Sequence, residues 1–483
     1  SPLYKVLTEV FQNYKKILLI GCLLVMVSCN NWLDVDPKSQ VKDKDLFASE
    51  MGFKEALSGV YSLMTKEGLY GKELTFGWLG VLGQEWTSVP YNYEDDQKYD
   101  FENAASEVRI DSVWTGLYNA IANANKLLKE LEGKENLFSG DNYSIIKGEV
   151  LALRAYLHFD LLRIFGASCA VGMERIAIPY VTEYAPTIFP QEKVGDFVGK
   201  VLKDLQDAAK CLENDPILTG RTVSEIDDNG YLMNRQVHLN YYAVKGLMAR
   251  VYLYKGDYAN AEVCAKEVIG SGCFEWVKQE NLTNESVADL TFSTEHLFAL
   301  NIVTLGNIVD KYLDGGNNSF ALEESRLSEY YGSSYDYRYL YLFKTGVGMS
   351  NTLRYLKKYD QLESVSWAQS YRNKLPLICL PEMYYILAEC RYHSSGDVLE
   401  PLNEVCRHRG VADLSEADLS AFETLLLAEY RKEVIGGGQL FFQYKRLNRS
   451  VVPGTDVDLA GEGRYVIPMP KEELENPGWV SNQ

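Results

Sequence analysis

"GLMARVYLYKGDYANAEVCAKEVI", residues 246–269, is the stretch from which the fold can be read. Apolar side chains recur at helical spacing on both sides of Gly256-Asp257-Tyr258, and the period is that of two helices rather than strands. The Gly-Asp-Tyr stretch between them reads as the turn of a helix hairpin. Small residues (Ala249 before the turn, Ala261 and Ala265 after it) face room-filling ones such as Tyr252, so the two helices can interlock closely. A lone hairpin cannot bury its apolar faces, so further hairpins must stack on it.

Further helices follow from the same criteria. "AECRYHSSGDVLEPLNEV" (388–405) repeats the scheme with one extra residue before Gly396-Asp397. "GEVLALRAYLHFDLLRIFG" (148–166) is apolar nearly all round and belongs inside a helical stack. Residues 112–131 and 197–212 supply two more helices. Small and large positions arranged this way are those of tetratricopeptide hairpins, and the chain is predicted to be mostly α, a tetratricopeptide-like helical hairpin solenoid.

Two regions depart from helical periodicity. Residues 67–101 mix Gly, Pro and Asn with Trp and Tyr, and residues 280–375 are similar. Long irregular segments on a rigid scaffold are where binding groups are displayed. Within the second, "YDYRYLYLF" (335–343) alternates as a half-buried strand or extended segment would, and Asp336 and Arg338 read as a core ion pair ahead of a functional signature. Arg154, Asp160 and Arg163 in one apolar helix, and Arg431, Lys432 and Glu433 in another, are expected to be paired, because a buried charge must be.

Composition narrows the function. The formal net charge of −19 repels phosphate backbones and argues against nucleic-acid binding. None of the five histidines stands in a metal-ligand spacing, and no nucleophile elbow, P-loop or dinucleotide fingerprint is present, so neither an enzyme nor a cofactor is indicated. "EIDDNG" (225–230) resembles half a calcium loop, but its twelfth position is Gln236 where a bidentate Glu is required. The nine cysteines show no C-x-x-C pair and no disulfide framework.

Near the start, Lys15 and Lys16 precede an apolar run from Ile17 to Val27, then Ser28 and Cys29. A spanning helix needs about 20 apolar residues, so this run is too short to cross a bilayer. Basic residues, a short apolar run and a small residue before a cysteine are the parts of a lipoprotein signal. Residues 1–28 are expected to be removed and Cys29 acylated, leaving residues 29–483 as one anchored domain; an ordinary signal peptide or a buried helix is the alternative. Asp34 and Asp36 read equally well as a surface-routing signal or as solvated linker charges.

Several stretches together resemble the SusD/RagB family of outer-membrane nutrient-binding lipoproteins. They are "CNNWLDVDP" at Cys29, "LRAYLHFDLLRIFG" with "IPYVT" at Ile178, "ARVYLYKGDYANAE" at Ala249, "LPEMYYILAEC" at Leu380, "LNEVCRHRG" at Leu402, "EYRKEVIGGGQLFFQYKRLNR" at Glu429 and "YVIPMPKEELENP" at Tyr465. They occur in the family's order across almost the whole chain. The resemblance implies four tetratricopeptide-like hairpins and a lipid anchor in the outer membrane, facing the exterior. It also implies a SusC-type TonB-dependent barrel transporter as partner, with oligosaccharides or, in some members, oligopeptides as ligand. The chain departs from the family at Gly437-Gly438, where Glu-Gly is usual, and at Gln84-Glu85, where many members have Asp-Glu. A tetratricopeptide-like adaptor that binds only protein is the rival, and the lipid-anchor signal speaks against it.

Candidate ligand residues lie in the first irregular region. Trp86, Tyr91, Tyr93 and Tyr99 surround Pro90 and two Asn residues, without a periodicity that would bury them all. Flat rings stack on the C–H faces of sugars while neighbouring polar groups bond the hydroxyls. The same rings suit a peptide or a protein partner, and burial fits any single one of them equally well.

Overall fold

The structure, a computed structural model, describes residues 43–224, 230–346 and 352–483. The expected signal, Cys29, Asp34, Asp36 and residues 225–229 of the calcium-like stretch lie outside the described residues.

Eight helices form the scaffold: α1 (Glu50–Met64), α2 (Ala104–Leu131), α3 (Asn142–Phe165), α4 (Val194–Cys211), α5 (Tyr241–Lys255), α6 (Tyr258–Gly270), α7 (Leu380–His393) and α8 (Leu399–Arg407). Each packs against the next in chain order, so the row reads as four successive hairpins. The turn that defines the fold behaves as its residues dictate. Gly256 sits at φ +85° and its N–H returns to Tyr252 and Leu253 carbonyls, while the Asp257 carboxylate accepts from the Asn260 N–H to start α6. Ser49, Asn103 and Asn240 cap α1, α2 and α5 in the same way. Helix α3 lies between α2 and α4 and is buried on almost every side, as its all-round apolar sequence requires.

Buried arginines tie the row together. Arg154 of α3 grips Asp204 of α4, and Arg250 of α5 grips Glu382 of α7 with N–O distances down to 2.6 Å. Arg163 and Asp160 pair within α3, and Lys432 pairs with Glu429. Arg431 departs from expectation: it bonds no carboxylate among the described residues and donates instead to the carbonyls of Gln84 and Pro453 and to the Tyr444 hydroxyl.

Two further helices, α9 (Phe422–Val434) and α10 (Leu440–Arg446), fold back so that α10 reaches the short helix Trp78–Leu82. Residues 280–375 are less irregular than their sequence suggests. Strand β1 (His296–Asn301) pairs antiparallel with β5 (Lys374–Cys379), and β2 (Leu322–Glu323), β4 (Leu353–Leu356) and β3 (Phe343–Lys344) form a second antiparallel sheet in that order. The alternating stretch before β3 is a short helix, Tyr337–Tyr341, and not a strand. Asp336 accepts from the Arg338 N–H at the helix start and also grips the Arg338 guanidinium, which turns the side chain inward. The ion pair was legible; the backbone that makes it was not.

Candidate ligand-facing surface

Residues 67–101 are held close to the scaffold by glycines and internal hydrogen bonds. A side chain at Gly80 would place Cβ 2.6 Å from the Trp86 indole nitrogen, so only glycine lets this loop close over the short helix. Gly438, at φ +78°, fits against the Leu74 carbonyl, where a Cβ would stand 2.2 Å from the oxygen. The Gly-rich turn after α9 thereby docks on the same loop, and the Gly436 N–H donates to Glu85 at 3.0 Å.

Three of the four candidate aromatics are core. Trp86 is 1% exposed and donates its indole N–H to the Phe76 carbonyl at 2.6 Å. Tyr93 donates to Glu73 and lies 3.8 Å from the Arg109 guanidinium. Tyr99, wholly buried, donates to the Leu82 carbonyl and accepts from Gln84. Polar neighbours that in sequence suggest a wet surface are the internal partners of these ring tips. Packed this way, Trp86 and Tyr99 have no face for a ligand, and Tyr93, almost wholly buried, only borders a groove.

Tyr91 differs. It is 83% exposed, on a turn that follows Pro90. The loop carrying it is fixed from behind: the Thr87 and Ser88 N–H groups both donate to the Ala321 carbonyl at 3.0 Å, Ala321 returns a bond to Ser88, and the Glu323 N–H donates to the Thr87 hydroxyl. The Arg431 guanidinium, 4.4 Å from the Tyr330 ring, secures the Gln84 end. The next two residues, Asn92 and Tyr93, line an open groove of about 520 Å³ together with Lys72, Glu73, Val108 and Arg109. It offers amide, ammonium and carboxylate groups.

Trp367, missed in the sequence, is 71% exposed, with the Arg372 guanidinium 4.0 Å from its ring. Arg372 is in turn held by the Leu362 and Val365 carbonyls, so the indole is fixed on the surface. Its small polar neighbours, Ser364, Ser366 and Ser370, were the available signal.

The titratable groups here are structural. His158 is buried in α3, held neutral by desolvation, bonded to the Arg154 carbonyl and accepting from the Val181 N–H. Among the described residues no cluster of His, Cys, Asp and Glu could hold a metal. Burial pushes Glu85 up to about 8, opposed by the Gly436 N–H and Arg431. Unfolded, this carboxyl ionises near 4.5. Between those values the unfolded state releases the proton first, so this group's contribution to stability is present at low pH and lost as pH rises to about 8. Glu85→Gln is expected to remove that loss: its gain in unfolding free energy over the parent, from urea denaturation, should grow from pH 5 to pH 8 by up to about 4 kcal/mol. A gain independent of pH would show that Glu85 is ionised when folded.

Comparison with known proteins agrees with this architecture. Residues 31–253 match the SusD-like family model described as "Starch-binding associating with outer membrane". SusD-like protein P38 of Formosa agariphila is 24% identical over 258 residues, 53% of this chain and 45% of that protein, so the chain spans less than half of this curated relative in the match. A SusD superfamily protein from Bacteroides thetaiotaomicron superposes with a TM-score of 0.72 at 21% identity, covering 90% of this chain and 100% of that one. Surface glycan-binding protein A from the same organism, solved in complex with laminarihexaose, gives 0.66 at 15% identity, covering 90% and 100%. With its four-hairpin scaffold the chain shares the fold of SusD superfamily proteins, and its residues 31–253 are similar to the SusD-like family associated with the outer membrane.

Proposed function

We propose that this protein is a surface lipoprotein, residues 29–483 anchored through Cys29, that captures oligosaccharides and passes them to a SusC-type TonB-dependent barrel in the outer membrane. The observation that carries the ligand half of this reading is Tyr91: an exposed ring on a loop pinned to β2, followed by two residues that line a groove of hydrogen-bonding groups. Such an arrangement suits a sugar, whose C–H face stacks while its hydroxyls bond. A structural neighbour crystallised with a hexasaccharide supports glycan over peptide. The lipoprotein signal that ends at Cys29 supports the lipid anchor, and among the described residues no helix is long and apolar enough to cross a membrane.

Tyr91→Ala is expected to weaken oligosaccharide binding in calorimetry by roughly thirtyfold, the loss of an anchor worth about 2 kcal/mol. Its melting temperature should not move, because the ring touches little. Unchanged affinity for every oligosaccharide that binds the parent would place the site elsewhere, and binding of peptides alone would make the cargo peptide. Separately, Cys29→Ala should abolish fatty-acid labelling and release the protein from the membrane fraction. Retained labelling would end the anchor claim.

A further inference from the structure

A second cleft, of about 570 Å³, opens between α1, the segment 231–238 and the residues following β1. It shares no lining residue with the groove at Asn92 and Tyr93. One wall is rigidly built. The Glu149 carboxylate, fully buried in α3, accepts from the Tyr61 hydroxyl at 2.7 Å, the Tyr231 hydroxyl at 3.2 Å, Arg235 Nη1 at 3.0 Å and His238 Nδ1 at 2.7 Å. Against the cost of burial, His238 and Arg235 hold this carboxyl at about 2, so it is a fixed anion. Arg235 is locked in turn by two 2.9 Å bonds to Asp215. Three rings therefore have their polar tips engaged behind the wall. Tyr231 and His238 stand edge to face, 5.2 Å apart.

Ser58 and Ser62 of α1 and Thr304 after β1 also line the cleft with exposed hydroxyls, each able to donate and accept. Lys66 and Glu67 add one charge of each sign at the rim. Lys54 also lines the cleft, 5.0 Å from the Tyr231 ring centre, but Glu50 balances its charge at 3.9 Å. Fixed rings and hydroxyls of both hydrogen-bonding senses, with these charges offset, match a neutral ligand with apolar faces and many hydroxyls. The volume lies within the roughly 300–1,000 Å³ of small-molecule sites. We propose that this cleft is a second carbohydrate site, taking a neutral sugar of one or two rings independently of Tyr91. The proposal rests on the carbohydrate-binding reading above, but not on the Tyr91 surface.

Saturation-transfer NMR tests it with a panel of maltose, cellobiose, lactose and the methyl glycosides of glucose, galactose and mannose. At least one member should give a signal that falls by roughly tenfold or more in both Ser62→Trp and Thr304→Trp. Both positions are exposed and lie on different segments of the lining, so a bulky ring at either fills the cleft without entering the core. Tyr91→Ala should leave that signal intact even where it abolishes oligosaccharide binding at the other surface. No signal from any member, a signal indifferent to both tryptophans, or one lost with Tyr91 would each overturn the proposal.

Discussion

Arg409→Ala is expected to cost about 3–5 kcal/mol, the range for breaking a buried ion pair from one side. Arg409 is wholly buried and bonds two carboxylates: Glu295 at the start of β1 and Glu433 near the end of α9. Arg338 reaches the same Glu433 at 2.7 Å and is bound on its other side to Asp336. Although burial opposes it, Arg409 and then Arg338 hold the Glu433 carboxyl well below the usual range. Without Arg409, Glu295 keeps no cation within ion-pair distance among the described residues. Its only route to neutrality is to take up a proton, so the variant's deficit should be smaller at pH 5 than at pH 8. Arg409→Lys should recover only part of the loss, since one ammonium cannot reproduce the fork that spans two carboxylates. Urea denaturation at the two pH values measures all of this, and a loss below about 1 kcal/mol at pH 8 would mean water already reaches the cluster.

Trp86→Ala should be comparably damaging. Truncating a buried tryptophan costs about 3–5 kcal/mol, and the Phe76 carbonyl loses its 2.6 Å donor as well. The indole packs against Phe320, part of the segment that leads into β2, so its removal also loosens the support of the Tyr91 loop. Calorimetric unfolding should show a large fall in melting temperature. Trp86→Phe, which retains most of the volume and loses only the hydrogen bond, should cost about 1–3 kcal/mol. Two variants with equal, small losses would put the indole back on the surface as a ligand contact.

These effects show where the sequence is readable. The scaffold helices, the Gly256 turn and the Asp160–Arg163 pair are local: periodicity, capping and an i,i+3 contact reside within a few residues. The aromatic cluster is not local. Whether Trp86, Tyr93 or Tyr99 is core depends on Phe76, Glu73, Leu82 and Gln84, and on Gly436–Gly438 hundreds of positions later. Nothing in the residues around Tyr91 distinguishes it from these three; only tertiary contacts do. The same holds for Tyr337–Tyr341, where a period of two suggested a strand but an Asp cap and the bond from Arg338 to the distant Glu433 accompany a helix. Trp367 went unseen because its support, Arg372, is a charge that sequence patterns place on a surface and not under a ring.

The row of helices carries a kinetic consequence at its one interruption. Within residues 50–270 most neighbours in the stack are also near in sequence, so their contacts form at little loop-closure cost. Helix α6 meets α7 only after the chain has travelled out through residues 271–379 and returned. Closing so long a loop costs chain entropy before any contact repays it, and high contact order slows folding. The fourth hairpin is therefore the late step in assembly. A nascent chain can complete three hairpins while the apolar face of α6 still waits for its cover, and that waiting face is where premature association with another chain begins.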